Sequence, residues 1–236
     1  MSLPKKVLLA LTSAQADFWP DGTQAGLWYS EALHPYQYFV EKGFEVTLAS
    51  ETSTYFLDPH STADESLGGD KDTFNDASAP FNQALKSVQK ASELNSKDFG
   101  IFFAAGGHGA LFDFPNADSL HKLAAEIYEQ GGVVAAVCHG PAIFDNLNLA
   151  DGTALIKGKT ITGFTVAEED YVGVTQIIAD RKLDLVKDVA AKNGAKYVQP
   201  DAPFTPFAIA DGRVISGTNP ASAHVTAEKA LEAFSA

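Results

Sequence analysis

Cys138, the chain's single cysteine, ends a run of five apolar residues, 133–137, and is followed at once by His139, Gly140 and Pro141. A thiol beside an imidazole at a strand-to-helix turn is the arrangement of a nucleophile. The thiolate is the attacking form, and the N–H groups and partial positive charge at a helix start favour it. This predicts a thiol pKa below its ordinary value of about 8.5. Gly140 permits close backbone approach, and Pro141 suits a first helical position, where its missing N–H has no partner to lose. A lone cysteine at a strand end is more often an inert buried side chain. The His-Gly-Pro that follows favours the nucleophile, because none of the three naturally fills a buried strand end.

Two other stretches carry chemistry that fits. "FGIFFAAGGHGALFD" runs a second apolar strand into Gly106, Gly107, His108 and Gly109. Its loop opens at the same sheet edge, so that one N–H from each loop can hold an oxyanion. Taken alone, "GGHG" is a tight turn needing positive φ. In "GLWYSEALHPYQYF", Pro35 stands four residues beyond Glu31, and its ring clashes with the carbonyl of residue 31. A helix there must kink or end. Glu31 then sits among Trp28, Tyr29, Leu33 and Tyr36, where a partly dry carboxylate titrates nearer neutrality. Alone, it reads as one more solvated acid.

Positioning these groups requires alternating strands and helices. The apolar runs predict strands over residues 6–12, 44–49, 99–104, 133–137, 160–162 and 196–198, with a late hairpin over 207–217 turning at Asp211-Gly212. Amphipathic spacing predicts helices over 27–39, 81–90, 117–130, 141–147, 183–192 and 221–234, with Gly43, Gly131 and Gly194 as C-terminal stops. The alternation implies an α/β fold with a mainly parallel sheet and helices on both faces. Residues 51–80 are polar, acidic and turn-rich. They form either a lid or an irregular surface insert, the latter favoured. No linker divides the 236 residues, so one domain is expected.

Bulk composition narrows the partners. With 17 basic and 30 acidic residues the net charge is −13, and no basic stripe interrupts it, which argues against nucleic acid and anionic membranes. Neither an 18-residue apolar run nor a leader-like cleavage pattern is present. The expectation is a soluble cytoplasmic protein, with the nucleus as a second compartment. One cysteine precludes an intrachain disulfide.

The motif "AVCHGP", together with "EALHP" and "NPASAH", resembles the PfpI/ThiJ superfamily, which includes the Parkinson's-disease-associated deglycase. "KKVLLALTS", "AAGGHGALFDFP", "GKTITGFT", "DVAAKNGAKYV" and "DGRVISGTNPASAH" extend the resemblance along nearly the whole chain, to the fungal heat-shock branch of glyoxalase III proteins. It implies a flavodoxin-like sandwich of the class I glutamine amidotransferase-like kind, with Cys138 on a strained elbow. It also implies catalytic roles for Cys138, His139 and Glu31. Alignment through "GFTVAEEDYVGV" places the third triad member on Glu169, its neighbours Glu168 and Asp170 pointing elsewhere and contributing little.

The resemblance implies glutathione-independent conversion of methylglyoxal and related 2-oxoaldehydes to D-lactate-type acids, with no cofactor and no metal. The histidines show no HExxH spacing. Gly107, His108 and Trp19, with Phe18, are the residues expected to bind substrate or wall the pocket. A homodimer and unfolded client proteins are expected from the family alone. Two other activities stay open at this point: amidase or peptidase action by the same triad, and a stress-response holdase or redox sensor built on Cys138.

Overall fold

Successive side chains of the central strands face two different apolar cores, so the sheet needs helices on both sides. The computed structural model describes residues 3–236. Its strands are β1 (Lys6–Ala10), β2 (Ala16–Asp17), β3 (Gln24–Ala25), β4 (Glu45–Ser50), β5 (Gln89–Lys90), β6 (Ile101–Ala104), β7 (Val133–Val137), β8 (Thr160–Ile161), β9 (Lys196–Tyr197), β10 (Ala208–Asp211) and β11 (Val214–Gly217). Seven of them form one sheet in the order β10-β11-β7-β6-β1-β4-β5, parallel except for the β10–β11 hairpin at one edge. This is the flavodoxin-like α/β arrangement.

The helices are α1 (Tyr29–Glu41), α2 (Asp64–Leu67), α3 (Lys71–Asn75), α4 (Pro80–Ala84), α5 (Ala110–Asp113), α6 (Asp118–Glu129), α7 (Val166–Val172), α8 (Thr175–Asp180), α9 (Val186–Lys192) and α10 (Ala223–Ser235). On one face Leu8, Phe102 and Val134 pack with Leu123 and Ile127 of α6 and Val189 of α9. On the other, Leu9, Phe103 and Ala135 pack with Leu33 and Phe39 of α1 and Ala227 of α10. Both faces of the strands are thus dry, which is why they read as continuous apolar runs.

Several sequence expectations change in detail. The helix expected over 81–90 ends at Ala84, passes through a short 3-10 turn and becomes β5, which pairs with β4 at Ala49 and Ser50. The helix expected over 141–147 is a 3-10 turn, Gly140–Phe144. α1 runs through Pro35 to Glu41 instead of ending there, although Pro35 has no N–H to donate to the Glu31 carbonyl. The expected strands near 160 and 196 pair with each other, outside the main sheet. The hairpin turns one residue later than Asp211-Gly212: Asp211 faces Val214, and Gly212, at φ 62°, is the first of two loop residues. α7 and α8 had no counterpart in the periodicity. The polar stretch 51–80 folds into short helices, and its Asp58 is buried against Trp19.

Candidate active site

The site lies where β6 and β7 deliver their loops at the carboxyl end of the sheet, the usual place for ligands in an open α/β fold. Cys138 leaves β7 with φ 61°, a left-handed conformation that a non-glycine residue holds only when its surroundings over-determine it. They do so here. The Cys138 N–H donates to the Gly217 carbonyl of β11 (3.0 Å), and the Cys138 carbonyl accepts from Phe164 N–H (2.9 Å). The Gly106 loop comes within touching distance from β6. A Cβ at Gly106 would lie 2.5 Å from Glu31 Oε2 and 2.8 Å from the His139 nitrogen, so only glycine fits between the acid and the elbow.

Glu31, in the first turn of α1, points into this gap. Its Oε2 accepts the Gly106 N–H at 3.0 Å, and its carboxyl meets the Cys138 thiol. Burial pushes Glu31 up to about 8, against the lowering effect of the nearby Cys138 thiol and the Gly106 N–H, and its Oε1 has no hydrogen-bond partner. Burial, reinforced by the Glu31 carboxyl, also drives the Cys138 thiol well above its ordinary value, although the Gly107 N–H favours the thiolate. This corrects the expectation of a depressed thiol pKa. The turn after Cys138 is a five-residue 3-10 segment, and a dry pocket beside an acid outweighs its few N–H groups.

On the other side of the sulfur, His139 Nδ1 lies 3.2 Å from Cys138 Sγ. His139 Nε2 is 2.8 Å from Glu169 Oε1, and His108 Nε2 is 2.9 Å from Glu169 Oε2. One carboxylate therefore joins two buried imidazoles. Burial would raise Glu169, but the two histidines beside it hold it at about 2. It is an anion, so both histidines donate Nε2–H to it, and His139 keeps Nδ1 free to accept the thiol proton. Burial, and then His139, push His108 down, leaving it neutral; its Nδ1 has no protein partner.

Cys138 opens into a small pocket of about 160 Å³ together with Gly107, His108, His139, Trp19 and Phe164. Trp19 is fixed by the stretch 51–80: its Nε1–H donates to Asp58 at 2.9 Å, and its ring packs against His108 with centroids 4.8 Å apart. The structure thus brings together Cys138, His139, Glu31 and Glu169, and places Gly107, His108 and Trp19 in the pocket wall. In the loop after β6 the Gly106 N–H is bonded to Glu31, and the N–H that faces the sulfur is that of Gly107. His108, His139 and Glu169 also form a group that could hold a metal ion, with ligand atoms within 4.8 Å of one another. An ion there would have to displace the two N–H donors from Glu169.

Glu168, expected to contribute little, is a structural hub. It is fully buried. Its Oε2 accepts from Thr165 N and Oγ1 (2.8 Å each), and its Oε1 accepts from Phe204 N (2.7 Å) and Asn219 Nδ2 (2.8 Å). With Thr165 as N-cap it completes a capping box at the start of α7, which sets the direction of Glu169 one residue on. The signal was present as Thr165 and Glu168 three residues apart. Asp58, Phe164 and Phe204 left no comparable local pattern.

The family model of the DJ-1/PfpI family matches residues 25–233. The chain is 51% identical over 231 residues to "Glyoxalase 3" of Candida albicans, covering 97% of this chain and 98% of that protein. It is 49% identical over 233 residues to "Glutathione-independent glyoxalase HSP31" of Saccharomyces cerevisiae, covering 98% of each. The crystal structure of glyoxalase III from Candida albicans superposes with a TM-score of 0.95 at 51% identity, covering 97% of each chain. Drosophila melanogaster DJ-1beta, at 15% identity and a TM-score of 0.57, shares the fold. By sequence and by architecture, the chain belongs to the DJ-1/PfpI family.

Proposed function

We propose that this chain converts methylglyoxal and related 2-oxoaldehydes to D-lactate-type 2-hydroxy acids without glutathione. The observation that carries this reading is Cys138 held between two proton carriers, Glu31 and the Glu169-anchored His139, at the base of a small enclosed pocket. The relatives named as glutathione-independent glyoxalases support it. A peptide chain would not enter a pocket of about 160 Å³.

In this reading Sγ adds to the aldehyde carbon. The thiol proton passes to His139 Nδ1 and then to the aldehyde oxygen, giving a hemithioacetal. Glu31 takes the hydrogen of that carbon as a proton while His139 carries the hydroxyl proton of the first oxygen across to the neighbouring carbonyl oxygen, giving an enediolate. With Glu31 titrating near 8, the ionised fraction present at working pH acts as the base, and the carboxyl it becomes readily returns the proton. Returning it to the adjacent carbon, as the first oxygen becomes a carbonyl, leaves a thioester on Cys138. Water hydrolyses the thioester and restores the thiol. One water is added overall, and oxidation state is exchanged between adjacent carbons, so atoms and electrons balance. The Gly107 N–H can donate to a substrate oxygen and His108 Nδ1 can accept from a hydroxyl, while Trp19, its N–H bonded to Asp58, walls the pocket and excludes bulk water.

The test is an assay of purified protein with methylglyoxal and no glutathione, with lactate measured by stereospecific dehydrogenases. D-lactate is the expected product. Consumption of methylglyoxal without lactate would overturn the proposal.

A further inference from the structure

Phe204 combines three features that no other residue of the pocket shares. It lines the pocket, it is 40% exposed, and its backbone sits at φ 57°. A bulky aromatic residue in the left-handed region is a strained conformation, which persists only when something holds it. The holder is Glu168: the Phe204 N–H donates to its Oε1 at 2.7 Å, and Asn219, bonded to the same oxygen, also donates to the Thr205 carbonyl at 3.1 Å. The surrounding residues, 201–206, have no helix or strand and are exposed, so these bonds tie an otherwise free strap to the body of the fold. The ring of Phe204 lies 6.3 Å from that of Phe164 inside the pocket and 5.1 Å from that of Tyr171 outside it, which is 79% exposed. Phe204 therefore stands between solvent and the space over Cys138.

We infer that Phe204 is the specificity-determining residue of this pocket: its ring closes the mouth and sets the upper size of the aldehyde that reaches Cys138. This rests on the proposed glyoxalase reading. At about 30 Å³ for each water-sized group, a pocket of about 160 Å³ holds roughly five, as many as methylglyoxal has non-hydrogen atoms. An aryl 2-oxoaldehyde has about twice that number and fits only if the ring gives way. Glu168 couples the mouth to the chemistry, because it and Glu169 are successive residues of α7.

The experiment compares wild type with Phe204→Ala, Phe204→Leu and Tyr171→Ala, each checked for an unchanged melting temperature. The quantity read is the ratio of kcat/KM for phenylglyoxal to that for methylglyoxal, without glutathione. Phe204→Ala should raise this ratio roughly tenfold or more, the scale on which a pocket wall discriminates by size. Phe204→Leu should raise it less, and Tyr171→Ala, which removes only the outer support, least. Alkylation of Cys138 gives a second reading that needs no turnover: iodoacetamide against its N-phenyl derivative should show the same order. An unchanged ratio in folded Phe204→Ala would overturn the inference. A lower ratio would overturn it too, by showing that the ring binds an aryl group instead of excluding it. Failure of the wild type to make lactate, with the alkylation order intact, would sink the glyoxalase reading and leave the gate standing.

Discussion

Glu31 and Glu169 are buried alike, at 0% and 1% exposure, on opposite sides of the same sulfur, yet burial prevails at one and is overruled at the other. Glu31 is pushed up to about 8 and is mostly neutral at pH 7, while Glu169 is held at about 2 and is always an anion. Their partners make the difference. Glu31 is offered a backbone N–H and a thiol, and it has the acid Asp58 in its neighbourhood. Glu169 is offered two imidazole N–H groups. Glu168, fully buried as well, spreads its bonds over four uncharged donors and ties backbone together. Three buried glutamates thus have three tasks, set by what donates to each: moving a proton, fixing an imidazole tautomer, and anchoring a helix start.

Removing what the two carboxylates flank should cost most. Cys138→Ala is expected to lower lactate formation by on the order of ten-thousandfold or more, with unchanged circular dichroism. Measurable lactate at near wild-type rate would remove the sulfur from the chemistry.

Glu31→Gln should follow, with a loss of roughly a hundredfold to ten-thousandfold in kcat. It also sharpens the comparison through pH. Between its unfolded value of 4.5 and its folded value of about 8, the folded chain keeps a proton at Glu31 that the unfolded chain has released. Its contribution to stability is therefore full below pH 4.5 and lost as pH rises through 8. Glu31→Gln should flatten the decline in melting temperature on the alkaline side, and an unaltered decline would contradict the raised value.

Glu169→Gln should leave roughly a hundredfold more activity than loss of the nucleophile, since the orienting acid of a triad is the least costly member to remove. Its pH signature has the opposite sign. Stability from the Glu169 anion is full above pH 4.5 and lost as pH falls toward 2, so the variant should lose stability at neutral pH and show a shallower acid limb in thermal melts.

The smallest catalytic effects belong to its neighbours. Glu168→Gln exchanges an acceptor oxygen for an NH2 among four donors, which should cost about 1–3 kcal/mol in chemical denaturation. Asp170→Asn, whose exposed carboxylate meets only the Thr175 hydroxyl, should be near wild type in both assays. A crippled Asp170→Asn with an intact Glu169→Gln would reassign the triad.

The parallel sheet was legible because both of its faces are dry, so the central strands are apolar throughout. The Cys138 elbow was legible because His139, Gly140 and Pro141 are poor strand residues. β5 and the partners of β8 and β9 were not, since strands of two residues leave no periodicity. The charge of the site was misread for a physical reason: local sequence reveals a turn's N–H groups but not the burial around the thiol, nor Glu31 arriving from more than a hundred residues away. The second imidazole on Glu169 and the Asp58 bond to Trp19 depend on contacts of 61 and 39 residues' separation, beyond any local pattern.

The opposite charges of Glu31 and Glu169 can be measured directly by infrared titration of the carboxyl groups, taking wild type minus Glu31→Gln and wild type minus Glu169→Gln. A neutral Glu31 predicts a protonated-carboxyl band at pH 7 that disappears with a midpoint near 8 in the first difference. The second should show only carboxylate down to the acid limit of the fold. A carboxylate signal from Glu31 at pH 6, or a protonated band from Glu169 at neutral pH, would contradict the assignment of proton carrier to one and fixed anion to the other.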